Sequence, residues 1–158
     1  MPQISHDKIR WRYYEEVGYD ADLAQQIRQQ GGFLALVLYW QLFDAYSVAQ
    51  LLVEHAHCVI DFGAGVGVYE SREQFDRVSH ALAPYRHVFV LLPSPDLAKS
   101  LEILQARDPN PPSDLNFDFN AHFLGHHGYY DLAKHTVYTE GKTPDETCAE
   151  ILALTKGA

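Results

Sequence analysis

The chain has 158 residues, 47% of them hydrophobic, which suits one domain with a buried core. Its 12 basic and 21 acidic residues leave a formal charge of −9, and with no local basic patch that balance excludes a nucleic-acid backbone as partner. Cys58 and Cys148 have no third cysteine and no metal-type pairing, so two buried thiols in a reducing cytosol are expected and a disulfide framework is not. The N-terminus MPQISHDKIRW lacks an apolar signal core. The longest apolar run, FLALVLYW at 33–40, is too short to cross a bilayer, so the expectation is a cytoplasmic protein with no membrane partner.

After a short extended start, PQIS, residues 7 to about 18 are polar and aromatic at helical spacing, with Asp7 as an N-cap. Asp20 caps a second helix, ADLAQQIRQQ, which Gly31 and Gly32 end before a long apolar helix from 33 to about 55. Tyr39, Trp40, Phe43 and Tyr46 lie three to four apart on it and read as packing. HCVIDF is a continuous apolar stretch of the kind found in strands buried on both faces, which favours a parallel sheet. Ser71 opens the helix SREQFDRVSHALAPY, HVFVLLP is a second buried strand, and SPDLAKSLEILQAR is a helix with Ser94 or Asp96 at its start. RDPNPPSDLN (107–116) is a loop or lid. NFDFNAHFLGHH and YYDLAKH return to helical spacing, and TVYTE is a short last strand. The final helix, TPDETCAEILAL, opens with a capping box of Thr143 and Glu146. The alternation predicts one α/β domain over 1–158, with right-handed crossovers.

The stretch CVIDFGAGVGVYE (58–70) carries the chemistry: an apolar run ends in Asp61, and glycines stand at 63, 65 and 67. Read alone it fits the D-x-G-x-G-x-G loop of S-adenosylmethionine-dependent methyltransferases, where glycines let backbone approach the cofactor. That doubly wound architecture needs about six further strands after this one, and only HVFVLL and TVYTE come later in the chain. The G-x-G-x-x-G spacing of dinucleotide folds is absent.

The order of parts fits another scheme across nearly the whole chain. From Ser5-His6-Asp7 through Gly63-Ala64-Gly65, VLLPSPDLAKSLEILQAR and Tyr130-Asp-Leu-Ala133 to the last helix, the sequence resembles the shikimate-kinase-like branch of P-loop small-molecule kinases. The resemblance implies a three-layer α/β domain, with a small parallel sheet of about four strands flanked by helices and a lid at about 107–128. It further implies ATP and Mg²⁺ as cofactors and a small-molecule hydroxyl as phosphoryl acceptor. Asp7 matches the acid beside the acceptor hydroxyl, Gly63, Ala64 and Gly65 match the glycine triplet against which the acceptor lies, and Arg107 matches the lid arginine. Ser5 stands where the family has a first acid, and Asp61 is the remaining carboxylate that could hold magnesium through water.

The chain departs from that family at further places. The arginines that clamp a carboxylate acceptor have no counterpart among Tyr39, Trp40 and Gln41 or at Gly125, His126 and His127, which disfavours shikimate itself. No G-x-x-x-x-G-K-[ST] occurs, so the family's first strand and phosphate loop would precede Met1, and efficient kinase turnover is not expected. The alternative is a loop-less ligand-binding or interaction module. The missing strand would sit between CVIDF and HVFVLL, so these must pair directly or a partner must fill the gap, which makes a homo-oligomer an expectation.

Other candidates have simpler readings. His122 and His126 are spaced for zinc, with His127, His135 and Asp118 near in sequence, but a polar helix face explains them. Arg10 and Arg12 flank Trp11 and could hold an anion, yet on a helix they point apart, which favours solvated surface. Arg107 suits a helix C-terminus without chemistry.

Overall fold

The computed structural model describes residues 1–107 and 117–156. The segment 108–116, nearly all of the expected loop at 107–116 and the first part of the expected lid, lies outside the described residues. Strand β1 (Gln3–Ser5) runs without a linker into α1 (His6–Glu16). The N-cap position is Ser5, whose side chain makes no capping bond, while Asp7 lies in the first turn, where its charge favours the helix dipole. Helix α2 (Ala21–Glu54) opens at Asp20, whose carboxylate accepts from the amides of Asp22 and Leu23 at 2.9 Å each. Asp20→Ala is expected to lower stability by about 1 kcal/mol, the usual worth of an N-cap, in chemical denaturation. Gly32 breaks α2 with φ 73° and ψ −171°, a conformation only glycine takes without strain, and this redirects the chain before its apolar half.

The expected three-layer α/β sandwich is not what forms. The described residues are 65% helical, with seven helices and two small parallel sheets of two strands each. Strand β1 pairs with β2 (Val59–Asp61), in register Gln3 with Val59 and Ser5 with Asp61. Strand β3 (Phe89–Leu92) pairs with β4 (His135–Tyr138), Phe89 facing His135. CVIDF and HVFVLL do not pair with each other. The physical reason lies in strand length and cover. Strands of three and four residues offer few ladder bonds, and their apolar side chains are not sandwiched: Val59 is 52% and Leu91 53% exposed. The runs that read as buried on both faces are therefore half-covered.

The core is built on α2. Ala45, Val48 and Leu52 pack with Val66, Tyr69 and the inner face of α3 (Arg72–Leu82), namely Phe75, Val78 and Leu82, with Ile60 and Val88 at the edge. The seam between α1 and α2 is polar at its rim: Tyr13 donates to Glu54 at 3.0 Å, Tyr46 donates to Glu16 at 2.8 Å, and Arg12 pairs with Glu54. By length and composition α2 could cross a membrane, although half of its apolar window is buried within the chain. The polar side chains on its inner face are bonded internally; Gln41, for one, donates to the Val68 carbonyl at 2.8 Å.

Helix α4 (Leu97–Arg107) is capped by Asp96, which accepts from Ala98 and Lys99. Two short helices come next, α5 (Phe119–Gly125) and α6 (His127–Leu132). Lys134 reaches back to the carbonyls that end α3, donating to Ala83 at 2.8 Å and to Tyr85. The last helix, α7 (Pro144–Lys156), has the expected capping box, with the Thr143 amide donating to Glu146 at 2.7 Å and the Glu146 amide to Thr143 at 3.2 Å. Cys148, expected to be buried, is exposed on this helix, and Cys58 is half-buried.

Candidate ligand-binding site

Parallel strands β1 and β2 end side by side, and we take the turn between the segments leaving their carboxyl ends as the candidate crevice, because open α/β sheets place ligands at that end. From β1 comes Asp7, in the first turn of α1; from β2 come Asp61 and Gly63. The Gly63 amide donates to the Asp61 carboxylate at 3.0 Å, and Gly63 has φ +69°. A Cβ on Gly63 would stand 2.8 Å from Asp7 Oδ2, so this glycine is what lets the two carboxylates flank one backbone turn. Three of the residues singled out in the sequence thus meet.

The rest of the glycine turn serves packing. The hydroxyl of Tyr129 on α6 donates to the Ala64 carbonyl. A Cβ on Gly67 would collide with the Tyr129 ring, and one on Gly128 with the Gly67 carbonyl, so these two glycines allow α6 to lie against the turn. Gly65 has nothing within 4 Å of a would-be Cβ and stays open. Arg107 ends α4, exposed, as a basic residue suited to that helix's C-terminus. No hydrogen bond or ion pair among the described residues joins it to Asp7 or Asp61.

Beneath the crevice lies a polar cluster that the sequence reading does not anticipate. His6 is fully buried, and its Nε2 shares a 2.7 Å hydrogen bond with Ser47 Oγ. The same nitrogen is 3.9 Å from Asp44 Oδ1, which accepts a hydrogen bond from the Tyr14 hydroxyl. Burial lowers the His6 imidazole to about 4, aided by the Arg10 charge, so it is neutral at pH 7. Burial raises the Asp44 carboxyl to about 6 against the opposing hydrogen bond from Tyr14. Serine, histidine and aspartate stand together here, but not as a hydrolytic triad. Both Ser47 and Asp44 approach the same ring nitrogen, whereas a triad holds the acid on the other one, and Ser47 is fully buried. A signal is present in the chain: Gln41, Asp44 and Ser47 repeat every three residues along an otherwise apolar helix, one polar stripe on its buried face.

Arg10 closes the crevice on the α1 side. Its guanidinium lies 4.7 Å from the Trp11 ring centre and 4.8 Å from that of Trp40, with Nη1 3.4 Å from Asp7 Oδ1. Arg10 is therefore drawn inward between two indoles, against the expectation of a solvated arginine, while Arg12 does turn outward to Glu54. Among the described residues four buried polar atoms lack a hydrogen-bond partner: His6 Nδ1, Arg10 Nε, Trp40 Nε1 and Tyr69 Oη. Buried polar groups of this kind are normally satisfied, and each of the N–H donors marks a place where an acceptor belongs.

A carboxylate at a strand end suits magnesium, which is held by one or two carboxylates plus water, and Asp61 would be its protein ligand through water. Among the described residues no group of three or more His, Cys, Asp or Glu converges on a point, so the spacing of His122 and His126 does not become a zinc site. His122 instead lies 3.4 Å from Glu70, and His126 accepts from the Gly128 amide at 3.1 Å. A nucleotide triphosphate does not fit this donor set, because the crevice offers one guanidinium already paired with Asp7 and the sequence holds no phosphate-cradling loop. Compared with known protein families and with curated proteins, the chain matches none.

Proposed function

We propose that this chain is the acceptor-binding portion of a small-molecule phosphotransferase of the shikimate-kinase-like kind, one that does not turn over ATP with its own residues alone. The observation that supports this reading is the convergence of Asp7 and Asp61 on Gly63 at the carboxyl ends of two parallel strands. Asp7 would accept the proton of a ligand hydroxyl; its exposed carboxylate, paired with Arg10 at 3.4 Å, supports that role. Gly63 permits close approach of the ligand to backbone, and Asp61 orders the turn through the Gly63 amide. A methyltransferase is disfavoured because the Gly67 side of the turn is occupied by Tyr129 and Gly128.

Calorimetry tests this. A small polyol or hydroxy acid from a panel is expected to bind saturably, with affinity reduced at least tenfold in Asp7→Asn, while ATP with magnesium gives no turnover. Tight binding of ATP with magnesium, saturable binding of S-adenosylmethionine, or indifference of every ligand to Asp7→Asn would overturn the reading.

A further inference from the structure

The unsatisfied groups of the crevice point to the charge of the ligand. Arg10 Nε and Trp40 Nε1 are buried N–H donors without acceptors, on two side chains that touch, with 4.8 Å between guanidinium and indole centre. Beside the same guanidinium stands Asp7, an acceptor whose only ion pair among the described residues is the 3.4 Å contact to Arg10, longer than a charge-assisted hydrogen bond. The crevice therefore shows donors and an acceptor together, the pattern that a hydroxyl completes, because one oxygen both accepts and donates. A carboxylate or phosphate chiefly accepts at pH 7.

Charge balance separates these alternatives. Arg10 is already offset by Asp7, with Asp44 and Asp61 close by. Lys8 and Arg12 line a groove of about 380 Å³ on the other side of Trp11, which lines it too, with Ile4, Ile9 and His55. An anion would enter a site that, among the described residues, has no unbalanced cation, and it would face two further carboxylates, whereas an uncharged ligand avoids that repulsion.

We propose that the crevice takes an uncharged polyhydroxylated ligand, a sugar or cyclitol. One of its hydroxyls accepts from Arg10 Nε and Trp40 Nε1, and a neighbouring one donates to Asp7. This rests on the acceptor-binding reading for the role of Asp7 and extends it to ligand class.

Trp11 and Trp40 are the chain's two tryptophans and both contact Arg10, so intrinsic fluorescence reports directly on the site. Titration with myo-inositol and with glucose is expected to give a saturable change with at least one of them, insensitive to added salt. Inorganic phosphate and lactate are expected to give none. Trp40→Phe keeps a ring but removes the donor and should weaken polyol affinity at least fivefold, read on Trp11. Arg10→Lys, which keeps the charge but loses Nε, should do the same. Saturation by phosphate or lactate, no saturation by either polyol, or unchanged affinity in Trp40→Phe would overturn the proposal. A polyol that keeps full affinity in Asp7→Asn but loses it in Trp40→Phe would defeat the phosphotransferase reading and the Asp7 contact together, and leave the Arg10–Trp40 contact standing.

Discussion

Asp44→Asn is expected to have a stability that rises, relative to the parent, by about 3 kcal/mol between pH 4 and 6.5. Two buried groups with opposite slopes are the cause. The His6 imidazole, lowered from 6.5 to about 4, resists protonation in the folded state. The unfolded chain therefore binds more protons between those values, and stability climbs with pH. The Asp44 carboxyl, raised from 3.8 to about 6, holds its proton longer when folded, so its contribution is complete at low pH and is lost as pH rises through 6. Each group contributes on the order of 3 kcal/mol, with opposite sign, and the two nearly cancel. Removing the carboxyl leaves the histidine slope exposed. The reciprocal His6→Asn should give a curve that falls with pH relative to the parent. Urea denaturation of both variants against the parent, at half-unit intervals, checks the signs, because the other carboxylates are common to all three proteins. Parallel curves for parent and variants would show that the two groups do not titrate in opposition.

Gly128→Ala is expected to cost about 3 kcal/mol, lowering Tm by roughly 10 °C. The added methyl points at the carbonyl of Gly67, which is backbone and has no rotamer to yield, so α6 must lift from the turn. In a free helix the same change would be mildly stabilising, which makes the sign informative. Gly65→Ala, in the glycine turn itself but facing open space, should stay within about 0.5 kcal/mol of the parent. Thermal melts of the two variants side by side separate glycines kept for packing from one that is not. Equal losses would mean that the turn as a whole needs glycine.

Local structure is legible in the chain because local chemistry decides it. Asp20 caps α2, Thr143 and Glu146 close a capping box, and Gly32 breaks the long helix, all from neighbours within a few residues. The sheet is not legible in the same way. An apolar run such as CVIDF looks alike whether it is covered on two faces or left half open, since periodicity records the side chains and not their neighbours. Asp7 and Asp61 could be placed in one site only through the order of parts along the whole chain; no local rule joins residues so distant in sequence. Arg10 escapes a reading from spacing alone because helix geometry says which way a side chain starts, while two indoles decide where it ends.

The division of four strands into two separate pairs bears on how this protein behaves when concentrated. Among the described residues each strand meets one neighbour, so every strand keeps one row of amides and carbonyls turned outward. Yet an approaching chain would find only three or four residues to zip onto before the backbone turns into helix or loop. Brevity is thus the safeguard: each border is too short to template a growing fibril, and the molecule can tolerate unsealed margins that a longer ribbon could not.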